Sequence, residues 1–140
     1  GVAEFSQCVR IVQIPSTIDP YVRKIHQDSG WGDDCLRSER TLVEVENAAC
    51  AFVDQHTQGD LPLGGANPGF DRRFLQAQLP LLARRFHYSH FEVRALTLLD
   101  EWVVGVEREK AAHRALADCH QAVRAVELHY ERMAAAYGAK

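Results

Sequence analysis

The chain has 140 residues, 46% hydrophobic and 25% charged, with five Pro; that is enough to bury one core and fill one ordinary domain, outside the composition of disordered chains. Sixteen Lys and Arg against 19 Asp and Glu leave a formal net charge of −3, so no overall positive field draws nucleic acid from a distance and any basic site must be local. Apolar runs such as Ile11-Val12 or Leu79 to Leu82 fall far short of the about 20 residues that a membrane span needs, so a soluble protein with no membrane partner is expected.

The chain opens on Gly1-Val2-Ala3-Glu4-Phe5, without an initiator Met or the basic start and apolar stretch of an export signal, and reads as a cut or processed start. Cys8, Cys35, Cys50 and Cys119 are scattered with no Cys-x-x-Cys pair. His26, His56, His87, His90, His113, His120 and His129 form no His-Glu-x-x-His helix face. Four free thiols, no zinc site and a reducing, cytoplasmic compartment are expected.

Phe5 to Ile14, apolar and β-branched and ended by Pro15, reads as a strand. Ser16 to Trp31 reads as a loop with a short helical piece, Gly30 and Gly32 bracketing Trp31 ahead of Asp33-Asp34. Thr41 can cap a helix with Glu44 three residues on; Val45, Ala48, Ala49 and Phe52 recur at helical spacing, and the helix should end near Gly59. Leu61 to Leu63 reads as a short strand entering the loop Gly64-Gly65-Ala66-Asn67-Pro68-Gly69. Asp71 opens a helical segment with Phe74, Leu75, Gln78 and Leu79 on one face, interrupted by Pro80 and continued to Phe86. Phe91 and Val93 alternate with Glu92 and Arg94 as a short strand; Ala95 to Val104 and Ala111 to Ala136 read as helices. About three strands interleaved with helices make an α/β layered domain with a thin sheet. Trp31 and Trp102 are readable as core or as site residues, with the core as the expectation.

Two segments could carry chemistry. The glycine loop delivers Asp71 to the first turn of a helix, where a carboxylate also has a purely structural role as partner of the helix N-terminus, worth about 0.5–2 kcal/mol. In His113-Arg114-Ala115-Leu116-Ala117-Asp118 the His and Asp stand five apart. Such a pair is poorly placed to share a metal on one helix face and better placed to enter a cleft from adjacent turns; it is equally readable as two solvated groups.

Taken in order, these segments are similar to a known family. Asp71-Arg72-Arg73-Phe74-Leu75 after a Gly-rich strand end, His87-Tyr88, and the segment from His113 to Asp118 resemble the DnaQ-like 3′→5′ exonucleases of the DEDDh class, oligoribonuclease in particular. His26-Gln27-Asp28-Ser29-Gly30-Trp31 resembles the family's His-x-x-Ser-Gly-Leu, and the likeness runs from about Phe5 to Tyr130. The resemblance implies a ribonuclease H-like exonuclease fold, a mixed sheet flanked by helices, in a single domain over residues 1–140. It implies hydrolysis of single-stranded nucleic acid or short oligonucleotides from the 3′ end, four carboxylates holding two divalent ions about 3.5–4 Å apart while a His acts as general base. Oxygen ligation suits Mg²⁺ or Mn²⁺. By the resemblance Asp71 and Asp118 are metal carboxylates and His113 is the base. Tyr21 falls near an aromatic that stacks on a base, a place that a core or solvent-facing Tyr fills equally well; Asn67, His87 and Tyr88 would contact nucleic acid.

Departures from the family pattern bear on activity. Its first motif, Asp-x-Glu on the opening strand, has no counterpart; Glu4 is the nearby carboxylate. The resemblance sets Glu4-Phe5 at the start of a third strand, so the first two strands are missing from this sequence and the domain is incomplete at its N-terminal side. With two of four carboxylates missing, this chain alone should hold one ion weakly at most. Either another segment, or a second copy in a homodimer, completes the sheet, or this chain arranges its sheet differently. Ser89 stands where the family has Arg, and Arg94-Ala95 where it has hydroxyls, so a preference for dinucleotides is not implied. Two readings remain: a metal-dependent exonuclease, inactive as this fragment unless completed, or a non-catalytic exonuclease-like domain that binds nucleic acid or a partner. RNA and DNA are not separated, because that choice turns on contacts to the 2′-hydroxyl.

Overall fold

Capping chemistry sets most of the helix starts. The computed structural model describes residues 3–13, 16–59, 61–105 and 114–138. Asp19 caps α1 (Pro20–Asp28), its carboxylate accepting the Tyr21 N–H at 2.8 Å, with Pro20 where a missing N–H costs nothing. Gly30, at φ 69°, turns the chain into α2 (Trp31–Arg37). α3 (Leu42–His56) opens on the expected capping box: Glu44 N–H donates to Thr41 Oγ1, and Thr41 N–H donates to Glu44 Oε2 at 2.7 Å. β1 (Leu61–Gly65) leads into α4 (Pro68–Gln78), and Pro80 separates that helix from α5 (Pro80–Ala83). β2 (Phe86–Glu92), α6 (Val93–Leu99), a π-helical turn at Asp100–Val104 and α7 (Ala115–Tyr137) complete the order.

β1 and β2 pair in parallel, with α4 and α5 as the crossover, so a small parallel sheet is flanked by helices as the α/β reading requires. Leu61 faces Phe86 and Gly65 faces Glu92, but the register jumps after Pro62: Pro62 is opposite His87 and Leu63 opposite His90. Tyr88 and Ser89 are therefore extra residues on β2. Ser89 N–H donates to His87 Nδ1 at 3.1 Å, and Tyr88 is turned out to solvent, 81% exposed.

The core lies between α3, the crossover and the start of β2. Ala49, Cys50 and Leu82 are buried, with Phe5, Val53, Leu75, Leu79 and Phe86 packed against them. Glu46 is buried here too, its Oε1 accepting the N–H groups of Leu81 at 2.7 Å and Leu82 at 3.3 Å. It thereby satisfies the start of α5, which has no side-chain cap of its own. A second buried carboxylate, Asp100, accepts from Arg132 and pairs with His129 Nδ1 at 3.0 Å, fastening the π-helical turn to α7.

Several expectations are corrected. Residues 5–13 form no strand, because a strand needs a ladder and their backbone bonds go elsewhere: Arg10 N–H to Arg40 O, between α2 and α3, at 2.8 Å and Ile11 N–H to Cys35 O in α2 at 3.2 Å. Ile14 and Pro15 lie outside the described residues. The expected count of strands falls to two among the described residues. The strand placed at Phe91 and Val93 is earlier, since Glu92 accepts the Arg94 N–H at 3.0 Å and so starts α6 at Val93. Trp31 is 37% and Trp102 78% exposed, so neither is a core residue. The last helix begins at Ala115, and residues 111–113 of its expected span lie outside the described residues. All four cysteines are free thiols. Among the described residues no helix is long and apolar enough to cross a membrane.

Candidate functional site

The strand-to-helix loop is built on one strained residue. Asn67 has φ 64° and ψ 51°, a left-handed conformation that Asn tolerates better than other side-chain-bearing residues. Two contacts hold it there: its N–H donates to Glu92 Oε1 at 2.9 Å, and the next residue, Pro68, is fully buried at the first position of α4. The carboxylate of Glu92 thus ties the loop after β1 to the end of β2. That fixes where α4 starts and puts Asp71 in its first turn.

Asp71 is exposed as a residue, yet desolvation of its carboxyl by surrounding atoms raises its pKa above the ordinary carboxylate value. A hydrogen bond from its own backbone opposes the shift and does not outweigh it. The charged form is therefore disfavoured.

α7 supplies the second carboxylate. Its first turn begins with Asp118 N–H donating to Arg114 O at 2.8 Å, and Arg114 itself is anchored far away in sequence. The guanidinium donates to the Ser29 carbonyl at 3.1 Å and meets Asp34 Oδ2 at 2.6 Å. This joins the start of α7 to the corner between α1 and α2, the Ser29-Gly30-Trp31 stretch. Beside Asp118, the Cys119 thiol is pushed up by burial first, then by the negative charges of Asp118 and Asp71. Because charges are largely screened beyond about 10 Å, a thiol that feels both carboxylates has each of them within about that reach.

His87 and Tyr88 sit on β2, their rings 4.2 Å apart. Arg72 Nη2 donates to the His87 carbonyl, so the residue after Asp71 links α4 to this strand. Arg72 Nε is buried without a hydrogen-bond partner among the described residues. Tyr21 is 72% exposed on α1, which packs on α2. His113 lies outside the described residues. Among the described residues no group of three or more His, Cys, Asp or Glu could hold a metal ion.

Three positioning residues escaped the reading of the sequence. Glu92 acts across 25 positions and leaves no local signal. Arg72 and Arg114 were in view within Asp71-Arg72-Arg73 and His113-Arg114, and an Arg next to each candidate functional side chain was the available hint.

No family model matches the chain. It is 34% identical over 121 residues to the oligoribonuclease of Rhodococcus jostii, covering 81% of this chain and 60% of that protein. Likeness to the oligoribonuclease of Corynebacterium diphtheriae is 36% over 124 residues, 84% of this chain and 58% of the relative. That of Shewanella loihica is 30% identical over 122 residues, 84% of this chain and 66% of its own length. The chain thus spans about 60% of the length of the first of these curated relatives.

Proposed function

We propose, on the premise that this chain belongs to the oligoribonuclease family of DnaQ-like exonucleases, that it is the later part of a 3′→5′ exonuclease acting on short single-stranded nucleic acid, RNA by its relatives' name. What supports the reading is that the Cys119 thiol feels the negative charges of both Asp71 and Asp118, residues 47 positions apart in the chain. Two such first-turn carboxylates suit a divalent cation such as Mg²⁺ or Mn²⁺, since both are hard oxygen donors. They make half of the four-carboxylate set of the family, and the single domain over residues 1–140 is incomplete in that sense. When bound, such a cation supplies neutralisation of phosphate charge and acidifies water.

The rest of the work falls to the chain's own groups. His113 is proposed as the base that takes the proton from the attacking water. Asn67, its backbone held by Glu92, His87 and Tyr88 at the β2 bulge, and Tyr21 on α1 are proposed to touch the nucleic acid. Arg114 and Arg72 position these groups without reacting. The missing carboxylates would arrive on a strand from a partner segment, or a second copy in a homodimer, that completes the sheet beside β1. The unpartnered Arg72 Nε supports such a completing segment, because a buried donor left alone costs about 1–3 kcal/mol. Four free thiols suit a reducing, cytoplasmic compartment.

The second reading, a binding domain without catalysis, draws on the lack of a three-ligand metal group among the described residues. Incubation of the chain, completed by an Asp-x-Glu strand of the family's first motif supplied with it, with Mn²⁺ and a 5′-labelled short RNA separates the two. Metal-dependent loss of nucleotides from the 3′ end that Asp118→Ala abolishes supports the exonuclease. A flat time course from folded protein that still binds the RNA supports the binding domain.

A further inference from the structure

We propose that the outer face of α4 is a stacking platform for the bases of a single-stranded nucleic acid, formed by Phe70 and Phe74 with Arg73 as its phosphate contact. This rests on the reading above and adds to it a specific binding surface. Phe70 and Phe74 stand one turn apart, their ring centroids 5.0 Å apart and the planes inclined at 53°. They are 49% and 57% exposed, so much of the two rings faces solvent. The Arg73 guanidinium lies 5.8 Å from the Phe70 ring centroid, and among the described residues it makes no ion pair. Phe70 is also adjacent to Asp71, so whatever occupies this face is next to the candidate reaction centre.

The guanidinium decides what kind of partner fits. A purely apolar protein surface laid on Phe70 and Phe74 would bury Arg73 against nothing of opposite charge, a costly desolvation. A nucleic acid strand offers aromatic bases for the rings and a phosphate for the guanidinium in the same ligand. On a chain of net charge −3 this is a local attraction, and Arg73 is held on the ring by the same cation–π geometry that would orient it toward a phosphate.

The test is fluorescence anisotropy of a 5′-fluorescein oligoadenylate with the chain in EDTA, where nothing is cleaved. Phe70→Ala and Phe74→Ala are each expected to weaken binding about fivefold or more, while Phe74→Tyr stays within about twofold because it keeps the π-face. Phe74→Leu, which keeps apolar area and loses the ring, should behave like Phe74→Ala. Arg73→Ala should lower the slope of log affinity against log salt by about one charge's share. Both rings being about half exposed, truncation should lower the melting temperature only by their buried share, and a cooperative melt checks that the variants fold. Wild-type affinity in both Ala variants, full binding in Phe74→Leu, or no binding by the wild-type chain overturns the platform. So does a wild-type dimer that Phe70→Ala splits with RNA binding unchanged, since the face is then a self-association surface. Shortening of RNA that ignores both Phe side chains leaves the exonuclease reading and removes the platform; Phe-dependent binding without any metal-dependent shortening does the reverse.

Discussion

The two halves of the crossover, α5 with its neighbour α3 and α4 with its surroundings, treat their polar groups in opposite ways. Around α3 and α5, buried Glu46 accepts two backbone N–H groups, and Glu44 and Asp54 are held below the ordinary carboxylate range, by the Thr41 cap and by the Arg85 guanidinium respectively. Along α4 and the start of α7, Asp71 is pushed above that range, Arg72 Nε has no partner among the described residues, Asn67 sits left-handed, and Phe70 and Phe74 face solvent. One region is closed and satisfied; the other keeps charge, strain and aromatic surface in reserve. Such unrelieved features accumulate where a ligand or a further segment is meant to relieve them.

The comparison is broken most directly by attacking the satisfied side. Leu82→Ala should cost about 2–4 kcal/mol in urea denaturation, because the cavity lies against Ala49 and Cys50, which are too small to fill it. Asp100→Ala should cost about 1–3 kcal/mol, stranding half-buried Arg132 and His129, and should loosen α7 in hydrogen exchange. At the boundary between the regions, Glu92→Ala should cost about 1 kcal/mol, removing the acceptor for both Asn67 and Arg94 N–H groups. A variant as stable as the wild type in any of these would show that the bond in question is not what holds its element.

The smallest effect has the opposite sign and sharpens the contrast. The raised pKa of Asp71 means that the folded chain keeps this proton to higher pH than the unfolded chain does. Stability is therefore lost as pH rises through the ordinary carboxylate value toward the raised one, and the penalty is complete above it. Asp71→Asn should then raise the urea midpoint at neutral pH, with the gain vanishing in acid. Glu44 and Asp54 run the other way: their contribution is present above the unfolded value and is lost as pH falls through their lowered values. A midpoint for Asp71→Asn at or below the wild type's at neutral pH would remove the case for a destabilised, site-like carboxylate.

Much of this was legible where the signal is local. Thr41 with Glu44 announced α3, Pro80 announced the break between α4 and α5, and the glycine loop placed Asp71 in a first turn. The failures are long-range. Phe5 to Gln13 has the composition of a strand, but whether it becomes one depends on a neighbour to pair with, and here its N–H groups reach Cys35 and Arg40 instead. β2 was shifted because the alternation at Phe91 and Val93 outweighed the unseen capping by Glu92. At the site, residue types pointed to Asp71 and Asp118, whereas the influence of both on Cys119 and the anchoring of Arg114 to Ser29 depend on contacts across tens of residues.

The most direct test of the central claim, that Asp71 and Asp118 form one cation-seeking site, is a Mn²⁺ titration of the isotopically labelled chain, followed by paramagnetic broadening of backbone amides. The claim predicts that the first turns of α4 and α7 broaden first and over the same Mn²⁺ range, and that Asp71→Asn shifts both to higher Mn²⁺. Broadening of one turn without the other, or first broadening at exposed carboxylates elsewhere such as Asp28 and Glu131, would contradict it.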